Sequence, residues 1–210
     1  LQSEREGGFL FDKSTGHFDT RTATPRIDGS VEAVTSDGQG GWYLGGSITG
    51  VNGNSRFGLA HLQANNTVNP NLAPEINGTV LALHLDASNH VLYIGGDFTQ
   101  VNGLIRNRMA AIDINTGQPT SWNPNADGTV RAFALHQEVG LIYVGGDFLT
   151  VDGQPHSLLA AISTATGLPT AVDYAVRDSV PDGRVNSLAL DRVHNRLYLG
   201  GLFTYIGSLW

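Results

Sequence analysis

Two sets of polar residues recur at fixed intervals and carry the chemistry this chain has to offer. Asp97 and Asp147 each follow a glycine pair, and Arg56, Arg106 and His156 share one position in the loop beyond it. Equivalent loops presenting such groups along one rim would bind a polar ligand, because repeat proteins commonly bind through the loops of one face. The bland alternative is an ion pair or hydrogen bond that ties each loop to its own unit, since half-buried charges are paired as a rule.

The seven histidines are His17, His61, His84, His90, His136, His156 and His194. They form no HExxH motif and no close histidine–carboxylate pair of metal-site spacing. His90, His136 and His194 fall in or beside turns and read as solvated, whereas His84 lies in a strand and reads as satisfied or pocket-facing. No G-x-S-x-G elbow marks a hydrolase serine, and no GK[ST] follows the glycine pairs to make a phosphate loop. Cysteine is absent, which removes thiolate zinc sites and cysteine nucleophiles. Asp12 and Asp113 resemble calcium-loop residues only in part, because the D-x-[DN]-x-[DN]-G spacing is missing. A structural calcium is the one metal left open, and no cofactor is expected. Paired carboxylates for glycoside cleavage cannot be picked from 19 acids without a pocket.

Net charge is −7, and only Lys13 among the twelve basic residues is a lysine. With no basic run, nucleic acid is excluded as an expected partner, and no apolar stretch approaches membrane-spanning length. The chain begins at Leu1 and its only methionine is Met109. That reads as a piece of a longer precursor with further domains.

The elements that would position these residues come from an internal repeat. The phrases WYLGGSIT (Trp42–Thr49), LYIGGDFT (Leu92–Thr99), IYVGGDFL (Ile142–Leu149) and LYLGGLFT (Leu197–Thr204) put glycine pairs at Gly45, Gly95, Gly145 and Gly200, in steps of 50, 50 and 55. A period of that size points to a solenoid, propeller or array. In the second repeat, TVLALHLD, then His90 to Phe98, then RMAAIDIN and then QPTSW read as four short strands, with TQVNGLIRN a polar loop between the second and third. Opening turns recur as Asp28-Gly29, Asn77-Gly78, Asp127-Gly128 and Asp182-Gly183, and Asn or Asp before Gly suggests positive φ. Thr116-Gly117 and Thr166-Gly167 mark a later turn, where the first full repeat carries Asn65-Asn66. Tyr43, Tyr93, Tyr143 and Tyr198 share one position and read as core.

Four short strands per repeat predict an all-β fold, a β-propeller of four four-stranded blades. The expected blades are 29–78, 79–128 and 129–183, plus a shared blade of 184–210 completed by 1–28. The last part rests on GGFLFDKSTG aligning with RMAAIDINTG, so that Gly16 falls on Gly117 and Asp12 on Asp113. Closure by such a clasp would hide strand edges. The alternatives are a segment of a larger ring, or two chains pairing into one.

The run from Leu92 to Val130 resembles the repeats of bacterial extracellular β-propeller proteins, of the YVGGDFTxVNG or delta-sixty type, nearly throughout. Ile142 to Gly167 match well, and Ser47 and Leu202 depart at the Asp97/Asp147 position. The resemblance implies an extracellular or cell-surface module of a larger protein and brings no catalytic residues with it. Propellers host many activities, so three functions stay open. They are a non-catalytic interaction or scaffold module of adhesion type with a protein ligand, a lectin-like propeller with a glycan ligand, and a secreted hydrolase or lyase with its site at the ring mouth.

Overall fold

A computed structural model of the protein describes residues 25–172, 174, 176 and 182–207. The described residues are all-β, with one 3-10 turn at Gln137–Val139. The strands expected within residues 1–24 lie outside them.

The first unit comprises β1 (Ile27–Asp28), β2 (Val31–Ser36), β3 (Trp42–Gly46), β4 (Gly50–Val51), β5 (Asn54–Ser55) and β6 (Leu59–Leu62). The second has β7 (Val80–Asp86), β8 (Val91–Gly96), β9 (Gln100–Val101), β10 (Leu104–Ile105) and β11 (Met109–Asp113). The third has β12 (Val130–His136), β13 (Leu141–Gly146), β14 (Thr150–Val151), β15 (Gln154–Pro155) and β16 (Leu159–Ser163), and the fourth has β17 (Arg184–Asp191) and β18 (Arg196–Leu202). Antiparallel sheets run β2-β3-β6, β7-β8-β11, β12-β13-β16 and β17-β18. Successive first strands pack on one another, β2 on β7, β7 on β12 and β12 on β17. Among the described residues no strand of the first unit hydrogen-bonds to β17 or β18.

Three differences from the sequence reading have local causes. The predicted fourth strand meets the third through single bridges only, Leu62–Val68, Ile112–Pro119 and Ile162–Pro169. In two units the bridging residue is proline, which lacks the N–H a ladder needs. The predicted polar loop is instead a tight hairpin, β4-β5, β9-β10 or β14-β15, turning at Asn52-Gly53, Asn102-Gly103 and Asp152-Gly153 with φ positive at both residues. That is the two-residue turn matching strand twist. At the opening turns, Gly29 has positive φ but Gly78 and Gly128 do not. There a Cβ would crowd Phe98 Cα at 2.8 Å or Phe148 Cα at 2.6 Å, so close approach is what requires glycine. The Thr-Gly turns form as expected, with Gly117 at φ 69° and Gly167 at 76°, and Asn66 takes 63° in the first unit.

The glycine pairs set the packing. A Cβ on Gly45 would stand 2.7 Å from Val80, and on Gly95 or Gly145 it would stand 2.5 Å from Val130 or Val185. The first glycine of each pair thus receives the first-strand valine of the next unit, and Val80, Val130 and Val185 are fully buried there. Burying a valine contributes roughly 1.5–3 kcal/mol. The second glycine lies against its own first strand, where a register shift marks a bulge in every unit. Clusters around Tyr43 and Tyr93 fill the first two seams, and a third around Val176 and Val185 fills the last. Tyr198, at the same repeat position, is 54 % exposed.

Candidate functional site

The hairpins stand at one end of the sheets, beside the opening segments they hold. Ile27 pairs with Val51, and Ile76 and Ala126 bridge to Val101 and Val151. Asn77 fixes this contact with its amide. Its Oδ1 accepts from the N–H groups of Thr99 and Gln100, and its Nδ2 donates to Thr99 Oγ1. Asp127 Oδ1 does the same for Leu149 and Thr150.

The predicted site residues lie at this end, and Arg56, Arg106, Asp97 and Asp147 make bonds within their own units. Arg56 is buried and donates from Nη1 to Ser55 O at 2.7 Å and from Nη2 to Asn69 O at 2.9 Å. Arg106 repeats the geometry onto Ile105 O and Thr120 O at 2.8 and 2.7 Å. Each guanidinium ties its hairpin to the segment after the third strand. Burial lowers both arginines from their ordinary value. His156 is buried at the same position, and its Nδ1 has no partner. Asp97 is exposed; its Oδ1 accepts from Thr79 N at 2.6 Å, and its carbonyl accepts from Arg108. Asp147 pairs with Arg131 at 3.0 Å. The aspartates therefore hold the first strand while Arg56 and Arg106 hold the fourth segment, so the bonds of the two sets run to different partners.

Apolar exposure at this end centres on the residue after the first hairpin and on the second hairpin, since the first and third hairpins expose Asn54-Ser55 and Gln154-Pro155. Phe57 is 48 % exposed, Leu104 50 % and Ile105 64 %. A groove of about 350 Å³ runs along the seam of the first two units, lined by Phe57, Glu75, Ile76, Asn77, Gln100 and Gly103.

At the opposite end, the turns after the first strands open on Asp37, Asp86, His136 and Asp191. Asp37, Asp86 and Asp191 accept N–H groups of their own turns. These turns also bond across units. Gln137 donates to Ser88 Oγ, and Arg192 donates to Glu138 Oε1 and Leu135 O, both at 3.1 Å. His84 faces Asp86 and Arg192 electrostatically. Burial lowers its pKa, Asp86 opposes that, and Arg192 adds to it.

Three histidine–carboxylate pairs form among the described residues, the longest being His136 Nε2 to Glu138 Oε2 at 3.7 Å. His194 Nδ1 meets Asp191 Oδ2 at 2.7 Å, three residues apart on an exposed turn. His61 Nε2 meets Asp37 Oδ2 at 2.9 Å across 24 residues, with both side chains nearly buried and Tyr43 stacked on the imidazole at 4.3 Å. Asn71 N–H occupies Asn69 Oδ1, so Asn69 Nδ2 donates to His61 Nδ1 at 3.1 Å and His61 Nε2–H donates to Asp37. Burial pushes the Asp37 carboxyl up, but His61 and the N–H groups of Gln39 and Gly41 outweigh it and hold it below its ordinary value. Both ring nitrogens are occupied, which leaves none to take a substrate proton. The one sequence signal was that His61 replaces the alanine found at Ala111 and Ala161.

Asp113 Oδ1 accepts from Asn115 and Thr116 N–H and so closes its own turn. Among the described residues no three His, Asp or Glu side chains gather as a metal site. No protein-family model matches the chain, and no curated protein matches it.

Proposed function

We propose that the chain is a four-bladed β-propeller acting as a non-catalytic, extracellular or cell-surface interaction module of adhesion type, within a larger protein. Its ligand is a protein surface, and no cofactor takes part. The observation that carries this reading is the hairpin end, where Arg56 and Arg106 are spent on internal bonds while Phe57 lines a groove and Leu104 and Ile105, next to its Gly103, face solvent. Exposed apolar residues rimming a groove are the usual mark of a protein-binding surface. The seam rule supports the ring: the glycine pairs of the first three units seat the next unit's valine, and closure would bring Val31 to Gly200, where an added Cβ meets only Ser187 among the described residues. The resemblance of Leu92–Val130 to bacterial extracellular propeller repeats supports the location.

The test is binding of the full chain, immobilised, to a panel of purified extracellular matrix proteins and a high-valency glycan array. The reading expects saturable binding to a protein that falls at least about tenfold in Leu104→Glu/Ile105→Glu, the equivalent of about 1.4 kcal/mol, with the circular dichroism spectrum unchanged. Glycan binding alone would move the reading to a lectin, and polysaccharide turnover would overturn it in favour of an enzyme.

A further inference from the structure

We propose that the hairpin of the third unit, β14-β15, is a binding site for a guanidinium group, and that its ligand is an arginine side chain of another protein. In the first two units the chain supplies that group itself. Arg56 bridges Ser55 O to Asn69 O, and Arg106 bridges Ile105 O to Thr120 O. His156 holds the arginine position in the third unit, and by the same alignment Pro155 O and Thr170 O hold the places of the two carbonyls. An imidazole is shorter than an arginine side chain and has no fork, so it cannot bridge them.

The groups around this place have changed from donors to acceptors. His156 is 4 % exposed, and its Nδ1 is buried without a partner. With the ring proton on Nε2 that atom accepts, whereas the atoms left unpaired in the earlier units, Arg56 Nε and Arg106 Nε, donate. Thr170 Oγ1 is buried and unpaired as well, while its counterpart Thr120 Oγ1 accepts from Trp122 N–H at 3.2 Å. Native structures leave few buried polar atoms unpaired, so two such acceptors at one hairpin call for a donor from outside the chain. The hairpin tip is exchanged in the same sense. Asn52 Nδ2 donates to Asn66 O, and Asn102 Nδ2 donates to Gly117 O and Gln118 Oε1. Asp152 replaces them as an exposed carboxylate, with no hydrogen to donate and no ion pair among the described residues.

These exchanges select the ligand. Acceptors and a carboxylate favour a cation, and the net charge of −7 draws one toward the chain. Carbonyls that one guanidinium spans in the earlier units suit its five N–H donors and planar fork better than the compact head of an ammonium. Arg106 is only half-buried, so the place its guanidinium takes borders solvent. In the third unit Gln154 and Pro155 on one side and Ala171 on the other are exposed, which leaves a side chain from outside a way in. The site is separate from the groove at the seam of the first two units. A small cation probes it without any protein partner, so it stands or falls independently of the proposed function.

The test is a proton NMR titration of the full chain with ethylguanidinium, and with ethylammonium at equal ionic strength. The His156 ring resonance, assigned by its loss in His156→Gln, is expected to move saturably with millimolar ethylguanidinium and to stay in place with ethylammonium. No movement, or equal movement with both cations, would overturn the site. N-acetylarginine amide is expected to reproduce the ethylguanidinium shift, and its failure would overturn the assignment to a protein side chain. Asp152→Asn is expected to weaken binding about two- to fivefold, as loss of an exposed charge pair does, and an unchanged affinity would overturn the part given to Asp152. His156→Arg, which restores the fork of the earlier units, is expected to raise Tm and to abolish ethylguanidinium binding, read from the amide resonances of Thr170 and Gln154. A Tm at or below that of the parent chain, or binding that survives, would overturn the equivalence of the three hairpins.

Discussion

Gly95 faces Val130 across the seam between the second and third sheets, and a β-carbon on Gly95 would stand 2.5 Å from Val130 Cγ1. That added carbon would also meet Phe133 Cε2 at 2.9 Å, so neither neighbour can retreat without disturbing the other. Glycine here is a packing residue, and its partner comes from the next repeat. Gly95→Ala is expected to destabilise by about 1–3 kcal/mol, the usual cost of overpacking. Val130→Ala on the same background should recover part of that loss, because contacting sites couple. Urea denaturation of the two singles and the double measures this, and strict additivity would refute the seam.

Gly103 is the contrasting case. It sits at φ 74° in the second hairpin, and a Cβ there meets nothing within 4 Å. Gly103→Ala is therefore expected to cost about 1–2 kcal/mol through backbone strain alone, with no rescue from any neighbour. A loss that a nearby truncation reverses would contradict the hairpin geometry.

Arg56 is buried with its two terminal nitrogens on backbone carbonyls, so its removal strands Asn69 O and Ser55 O. Arg56→Met keeps much of the packed stem and is expected to lose about 1–3 kcal/mol, the usual cost of unpaired buried groups. Equilibrium unfolding checks the loss. Hydrogen exchange should show it concentrated in Gly50–Ser55 and the segment around Asn69.

His84 makes stability depend on pH. Its folded pKa lies below the ordinary 6.5, so the unfolded chain binds the proton more readily. That contribution is complete above pH 6.5 and is lost as pH falls through the lower folded value. Asp37 acts in the same direction at more acid pH, being complete above its ordinary 3.8 and lost below it. Stability should therefore fall from pH 7.5 to 5, and His84→Gln should flatten that fall. An unchanged slope would show that another group titrates there.

The Asp37–His61 pair is expected to couple by about 0.5–3 kcal/mol in a double-mutant cycle, as residues sharing a hydrogen bond do. With both imidazole nitrogens occupied, the pair stabilises the first unit without titrating a substrate. Zero coupling between Asp37→Ala and His61→Ala would remove it from the stability account.

The amino-acid order alone determined the all-β class, the period, the first three strands of the first three units and the first two of the fourth. It also placed the Thr-Gly turns and the asparagine that replaces them at Asn66. These features depend on alternation and turn chemistry within a few residues, so a linear reading finds them. The hairpins after each glycine pair were just as local. Asn52-Gly53, Asn102-Gly103 and Asp152-Gly153 are strong hairpin signals, but the strands beside them are only two residues long and read as loop. Tertiary structure decided the rest. Gly95 meets Val130, Arg56 reaches Asn69 O and Asp37 finds His61 only when segments 13 to 35 residues apart are packed together. The sides of the strands that become seams, and the groups that are spent inside them, follow from that packing because burial leaves a polar atom only the partners the neighbouring sheet presents.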